Sequence, residues 1–137
     1  MQWLAAYSVG IGEIDSQHKE LLRLFGAVES TVKAKTNWSE VHLRIVEVRK
    51  YAEFHFHFEE ALMRLYGYGK AAEHAGEHRK ILDKVLQIER AVITETTGDD
   101  VIRFFRDWLV NHIKHSDRGY ADLILGGAPV VRAAEAS

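Results

Sequence analysis

The sequence predicts an all-α protein: an up-down-up-down antiparallel four-helix bundle preceded by an N-terminal arm. Three observations carry that prediction. Apolar residues recur at helical spacing along four long stretches. The single proline, Pro129, lies beyond the last of them, so nothing interrupts the helices. The breaks between stretches are short, which makes sequential helices antiparallel neighbours.

Residues 1–15 read as the arm, with Trp3, Tyr7, Gly10 and Gly12. Asp15 is the expected N-cap of the first helix, which runs to about Lys35 with His18, Leu21, Phe25, Val28 and Val32 facing inward. Asn37 and Glu40 resemble a capping box for the second helix. Its stripe is Val48, Ala52, His55, Glu59, Leu62 and Tyr66, and Gly67-Tyr68-Gly69 ends it. The third helix spans roughly 70–93 on Ala71, His74, His78, Ile81, Val85, Ile88 and Val92. A turn is expected from Thr94 to Gly98. A fourth helix follows from Asp99, carrying Val101, Phe105, Trp108 and His112 and fraying near Gly119 or Gly126. Residues 1–126 form one expected domain and 127–137 a loose tail.

Composition narrows the class of function. Of the 137 residues 47% are hydrophobic, enough for a core, and the net charge of −2 is mixed in sign along the chain. Neither a nucleic-acid groove nor a basic membrane patch is indicated. The absence of cysteine excludes disulfides, thiolate metal sites and cysteine nucleophiles. No charged segment followed by an apolar core opens the chain, and no apolar run is long enough to span a bilayer. A soluble cytoplasmic protein is expected.

The informative residues are the polar ones on the apolar stripes. His18, His55, His74, His78 and His112 fall at inward positions, together with Glu59. A lone histidine on such a face is usually a hydrogen-bonded core residue. Here every predicted helix carries one, and an unpartnered carboxylate in a core is costly. His74 and His78 lie one turn apart and can share a metal, and His55 and Glu59 have the same spacing. Asp117 is five residues after His112, so it joins the set only where the fourth helix is distorted or ending. His42, His57 and His115 read as solvated surface.

Seven such donors are too many for one tetrahedral zinc, and two carboxylates are natural bridges, so two metals account for the set. Iron fits the mixture of imidazole and carboxylate, and manganese is compatible by ligand type. Two other motifs compete. His74-Ala75-Gly76-Glu77-His78 matches the inverted zinc-protease pattern H-x-x-E-H, with Glu77 as general acid/base, but leaves His18, His55, Glu59 and His112 unexplained. The carboxylate-rich ferritin-like di-iron class needs Glu-x-x-His on two helices, and none occurs.

At these residues the chain resembles the hemerythrin family, in particular its bacterial members. The resemblance covers Trp3 to about Leu125. It is carried by Tyr7-Ser8-Val9-Gly10-Ile11 with Ile14-Asp15-Ser16-Gln17-His18, and by His55-Phe56-His57-Phe58-Glu59-Glu60 with Met63. It continues in His74 and His78, and in Trp108-Leu109-Val110-Asn111-His112-Ile113 with Asp117 and Tyr120. One departure is Gly69, which follows Tyr68 where the family often has proline.

The resemblance implies two non-haem iron ions, one held by His74, His78 and His112 and the other by His18 and His55. Glu59, Asp117 and an oxo or hydroxo group would bridge them. The second iron would keep an open position where dioxygen binds reversibly, for carriage, storage or scavenging. Phe56, Trp108, Leu109 and Ile113 match the family's pocket positions and would keep the site dry. A dioxygen- or redox-sensing domain acting on a signalling partner is the alternative. A di-iron enzyme acting on peroxide or nitric oxide ranks below it, since no acid or base beyond the ligands is evident, and the protein is read as a non-enzyme. Gln17 and Glu77 are available as second partners for the ligand imidazoles but, next to ligands, are expected to point outward; Tyr120 either hydrogen-bonds near Asp117 or packs, with packing favoured, and Phe25, Phe58, Phe105 and Leu62 are expected simply to pack.

Overall fold

A computed structural model of the chain describes residues 2–35, 37–91, 95–112 and 118–126. A short 3-10 turn, Ala5–Tyr7, is followed by α1 (Gly12–Lys33), α2 (Trp38–Leu65), α3 (Ala71–Arg90), α4 (Glu95–Asn111) and α5 (Arg118–Gly126). The described residues contain no strand. α1 packs on α2 and α4, and α2 packs on α3, the neighbour relations of an up-down-up-down bundle. The stripe of α1 is buried from His18 through Val32, and Val101, Phe105 and Trp108 of α4 and His112, the residue after it, are buried as well.

Local chemistry sets the ends. Asn37 caps α2, its side chain accepting the Glu40 N–H at 3.0 Å. At the other end Gly67 takes φ +66°, Tyr68 N–H donates to Met63 O at 2.9 Å and Gly67 N–H to Arg64 O at 3.2 Å. This is a Schellman closure, and a left-handed residue there favours glycine. The end of α1 is made similarly, with Lys35 at φ +53° donating to Val32 O at 3.1 Å.

Several boundaries differ from expectation, for physical reasons. Asp15 is not an N-cap: α1 starts at Gly12, and the Asp15 carboxylate accepts from Ser8 Oγ at 2.5 Å and from Val9 N–H at 2.9 Å, tying the arm to the helix. The expected turn up to Gly98 is helical from Glu95. A Cβ on Gly98 would lie 3.0 Å from Val32 and 3.4 Å from Trp38, so glycine permits close packing there and tertiary contact outweighs its poor helix propensity. The single fourth helix is instead α4 and a separate α5. Gly119 lies inside α5, where a Cβ would meet the Tyr68 hydroxyl at 2.5 Å. On α2, Met63 is fully buried, whereas Leu62 and Phe58 are half-buried against a small cluster of Val9, Ile14 and Ala121 rather than in the main core. Phe25 and Phe105 are fully buried in that main core. Val92 and Thr94 fall outside the described residues, as does the expected tail.

The alternation of direction puts the start of α1, the end of α2, the start of α3 and the end of α4 at one end of the bundle. The arm and α5 gather there too, through Tyr120, Ala121 and the approach of Leu125 to Gly10, where an added Cβ would lie 3.0 Å from it. The candidate ligands occupy this end.

Candidate metal centre

Among the described residues, two groups of buried donors meet the requirement for holding a cation. One is Glu59, His74, His78 and His112; the other is His18, His55 and Glu59. Within each group the donor atoms all lie within 4.8 Å of one another, and Glu59 belongs to both. All six side chains are buried, His18, His55 and Glu59 completely. Helical spacing explains the grouping. His55 and Glu59 share a face of α2, His74 and His78 share a face of α3, α1 adds His18, and His112 follows directly on α4.

Donor spacing in the group of Glu59, His78 and His112 fits an ion. His55 Nε2 stands 2.5 Å from Glu59 Oε1, yet neither atom makes a hydrogen bond among the described residues. His78 Nε2 is 3.2 Å from His112 Nε2 and 3.8 Å from Glu59 Oε1. Two donors each about 2.0–2.2 Å from one ion are separated by roughly 3–4 Å, as the donor atoms of His78, His112 and Glu59 are, whereas His55 and Glu59 stand closer than that. A carboxylate buried among converging imidazoles would be costly without a cation to compensate it. The donor set therefore fits metal, and Glu59 is placed to bridge.

Asp117 and Ile113 lie outside the described residues, as does His115. His42 and His57 are exposed. Phe56, Trp108 and Leu109 are buried. Phe56 stacks on His78 at 3.9 Å between centroids and 9° between planes, with its ring 5.8 Å from those of His55, His112 and Trp108. One aromatic ring thus walls both donor groups.

Three residues beyond the donors act on them in ways the sequence did not reveal. Gln17 does not point outward: it is 2% exposed, and its Oε1 lies 2.6 Å from His55 Nδ1. Tyr120 does more than pack: fully buried on α5, it donates its hydroxyl hydrogen to Glu59 Oε2. Glu60 Oε2 lies 3.1 Å from His78 Nδ1, and no local signal tied residue 60 to residue 78. The Glu77 carboxylate is 45% exposed and lies 4.0 Å from His112 Nδ1, beyond hydrogen-bond range. Such outer partners orient a ligand ring through its second nitrogen. An open groove between α3 and α4, lined by Lys84, Ile88, Asp100 and Phe104, sits at the opposite end of the bundle.

Comparison with known proteins agrees with this geometry. The family profile described as "Hemerythrin HHE cation binding domain" matches residues 9–124. The "Bacteriohemerythrin" of Methylococcus capsulatus is 32% identical over 123 residues, 88% of this chain and 93% of that protein. The "Hemerythrin-like protein" of Naegleria gruberi is 29% identical over 122 residues, 89% of this chain and 92% of its own. A solved structure titled "Crystal structure of hemerythrin:wild-type" superposes with a TM-score of 0.79 at 32% identity, covering 90% of this chain and 96% of that one. Among the described residues no helix is long and apolar enough to cross a membrane.

Proposed function

We propose that this chain, which belongs to the hemerythrin family, binds dioxygen reversibly at a pair of iron ions. The observation that carries the reading is the inequality of the two donor groups around one shared carboxylate. His74, His78 and His112 supply three imidazoles on one side of Glu59, and His18 and His55 supply two on the other. Iron bound there would supply the electrons that hold dioxygen, at the less crowded side. Asp117 is proposed as a second bridge, by resemblance.

The residues around the donors support binding over turnover. Phe56, Trp108 and Leu109 are apolar and buried, so they exclude water and protons from the site. Leu109→Ala is expected to admit water and speed irreversible oxidation of the iron-loaded protein; an unchanged rate would remove Leu109 from this role. Ile113 is proposed as a further wall. Such a protein would carry, store or scavenge dioxygen inside the cell.

The test is anaerobic loading with ferrous iron, then absorption spectra in air and after purging with argon. A charge-transfer band that appears in air and fades on purging, over repeated cycles, is the expected result. A band that appears once and stays would replace carriage with redox sensing or oxidative chemistry. Uptake of fewer than two irons per chain would overturn the di-iron reading. Sensing has one observation in its favour: Tyr120 ties α5 to Glu59, so a change at the bridge would be felt by that helix and by any partner resting on it. Spectral change in α5 probes between the oxygenated and deoxygenated protein would support it.

A further inference from the structure

We infer that Glu13 and Gln17 together fix the tautomer of His55, and so aim its Nε2 lone pair at the metal. The inference rests on His55 being a ligand through Nε2.

The chain of contacts begins at the surface. Glu13, Gln17 and the ligand His18 follow one another on α1, and Glu13 is exposed while Gln17 is buried. Gln17 Nε2 donates to Glu13 Oε1 at 3.0 Å, one helical turn back. An ionised carboxylate only accepts, so the amide must turn its NH2 toward Glu13. Its carbonyl oxygen is then the atom left facing His55 Nδ1, at 2.6 Å. A carbonyl also only accepts, so His55 must carry its hydrogen on Nδ1. A neutral imidazole has one N–H, and Nε2 is left with its lone pair.

That outcome is not the one His55 would reach alone. Its Nε2 stands 2.5 Å from Glu59 Oε1, a strong acceptor one turn along α2. Without a competing acceptor the hydrogen belongs on Nε2, directed at Glu59, where it would block coordination. Gln17 supplies the competitor, and Glu13 supplies its direction. The other donor group solves the same problem differently. His78 Nδ1 faces the Glu60 carboxylate directly at 3.1 Å. On the His55 side the carboxylate stays in water and acts through a neutral amide, so no further charge is buried beside Glu59.

The first measurement needs no metal. In the 15N-labelled apo-protein at alkaline pH, long-range proton–nitrogen correlations report which ring nitrogen of His55 is protonated. The wild type is expected to show hydrogen on Nδ1. In Gln17→Leu the hydrogen should move to Nε2, and affinity for the second of two cobalt(II) ions should fall by roughly 10–100-fold. The first ion should bind as before. Glu13→Leu changes only an exposed position, so it keeps the test open where Gln17→Leu does not fold; it should give a mixture of tautomers. The exchange Glu13→Gln with Gln17→Glu moves the negative charge from position 13 to position 17 but keeps a donor at 13 and an acceptor at 17, and should restore both the tautomer and the affinity.

An Nε2 hydrogen in the wild type would overturn the inference. So would a tautomer that both single variants leave unchanged, or an exchange variant that behaves like Gln17→Leu. Because the tautomer is read without iron or dioxygen, a failure of reversible oxygenation would leave this result standing, and the reverse also holds.

Discussion

The two ends of the bundle are built on opposite principles. At one end Val28, Val32, Val41, Ile45, Val85 and Val101 meet in a core of aliphatic side chains, all buried and without polar obligations. At the other, five imidazoles and a carboxylate occupy the same interior positions, and each needs a partner. The first end gains stability as area leaves water, about 1.5–3 kcal/mol for each large side chain fully buried. The second forgoes part of that gain and depends on an ion, hydrogen bonds and the covering arm and α5. A helix bundle can thus draw its stability from one end and work at the other.

Metal removal should separate the ends most strongly. Apo-protein is expected to melt well below metal-loaded protein, because an ion bound only by the folded state adds about 2.7 kcal/mol at one hundred times its dissociation constant. Amide exchange should speed on chelation around His18, His55 and His74 and change far less around Ile45 and Val85. Equal melting with and without metal would mean that the ligand end holds itself together. Glu59→Leu should cancel the metal-dependent gain, because it removes the carboxylate that the two donor groups share.

At the aliphatic end the corresponding break is Ile45→Ala. Ile45 is fully buried, so the cavity should cost about 2–5 kcal/mol in denaturant unfolding. The loss should be the same in apo- and metal-loaded protein, with metal content per chain unchanged. A fall in metal content would show that the ends are mechanically coupled.

The sequence was not equally legible at the two ends either. Apolar periodicity placed the aliphatic core and the inward faces bearing His18, His55, Glu59, His74, His78 and His112, because helical spacing alone decides which residues share a face. It did not find Gln17, Glu60 or Tyr120, because their roles depend on a partner 38, 18 and 61 residues away. Gln17 beside His18 looks like a surface residue until His55 is placed against it. Asp15 and the Glu95–Gly98 segment depart from their local signals for a related reason. Their local signals are a cap and a turn, and contacts with the arm and with Val32 and Trp38 prevail over them.

Tyr120→Phe tests the ligand end by a single atom. The phenol is fully buried and donates to Glu59 Oε2, so its loss leaves one carboxylate oxygen without that donor while the ring still fills its place beside His74 and Tyr68. A hydrogen bond to a charged group contributes about 1.5–3 kcal/mol, and the unfolding free energy of the apo-protein should fall by that order. An unchanged stability would return Tyr120 to a packing role and leave α5 held by Ala121 and its neighbours alone.

The smallest expected change lies at the aliphatic end and has the opposite sign. Lys35 closes α1 at φ +53°, in the left-handed region, where a Cβ crowds the backbone and costs roughly 1–2 kcal/mol. Glycine removes that crowding but gives the unfolded chain more freedom, which takes back about 0.5–1 kcal/mol. Lys35→Gly should therefore stabilise the protein by about 0–1.5 kcal/mol, read as a higher denaturant midpoint with an unchanged slope. The increment should be equal with and without metal, because the turn is at the end remote from the ligands. A gain that appeared only in the metal-loaded protein would contradict the independence of the two ends, and a loss of stability would mean that the Lys35 side chain holds the turn more than its backbone strains it.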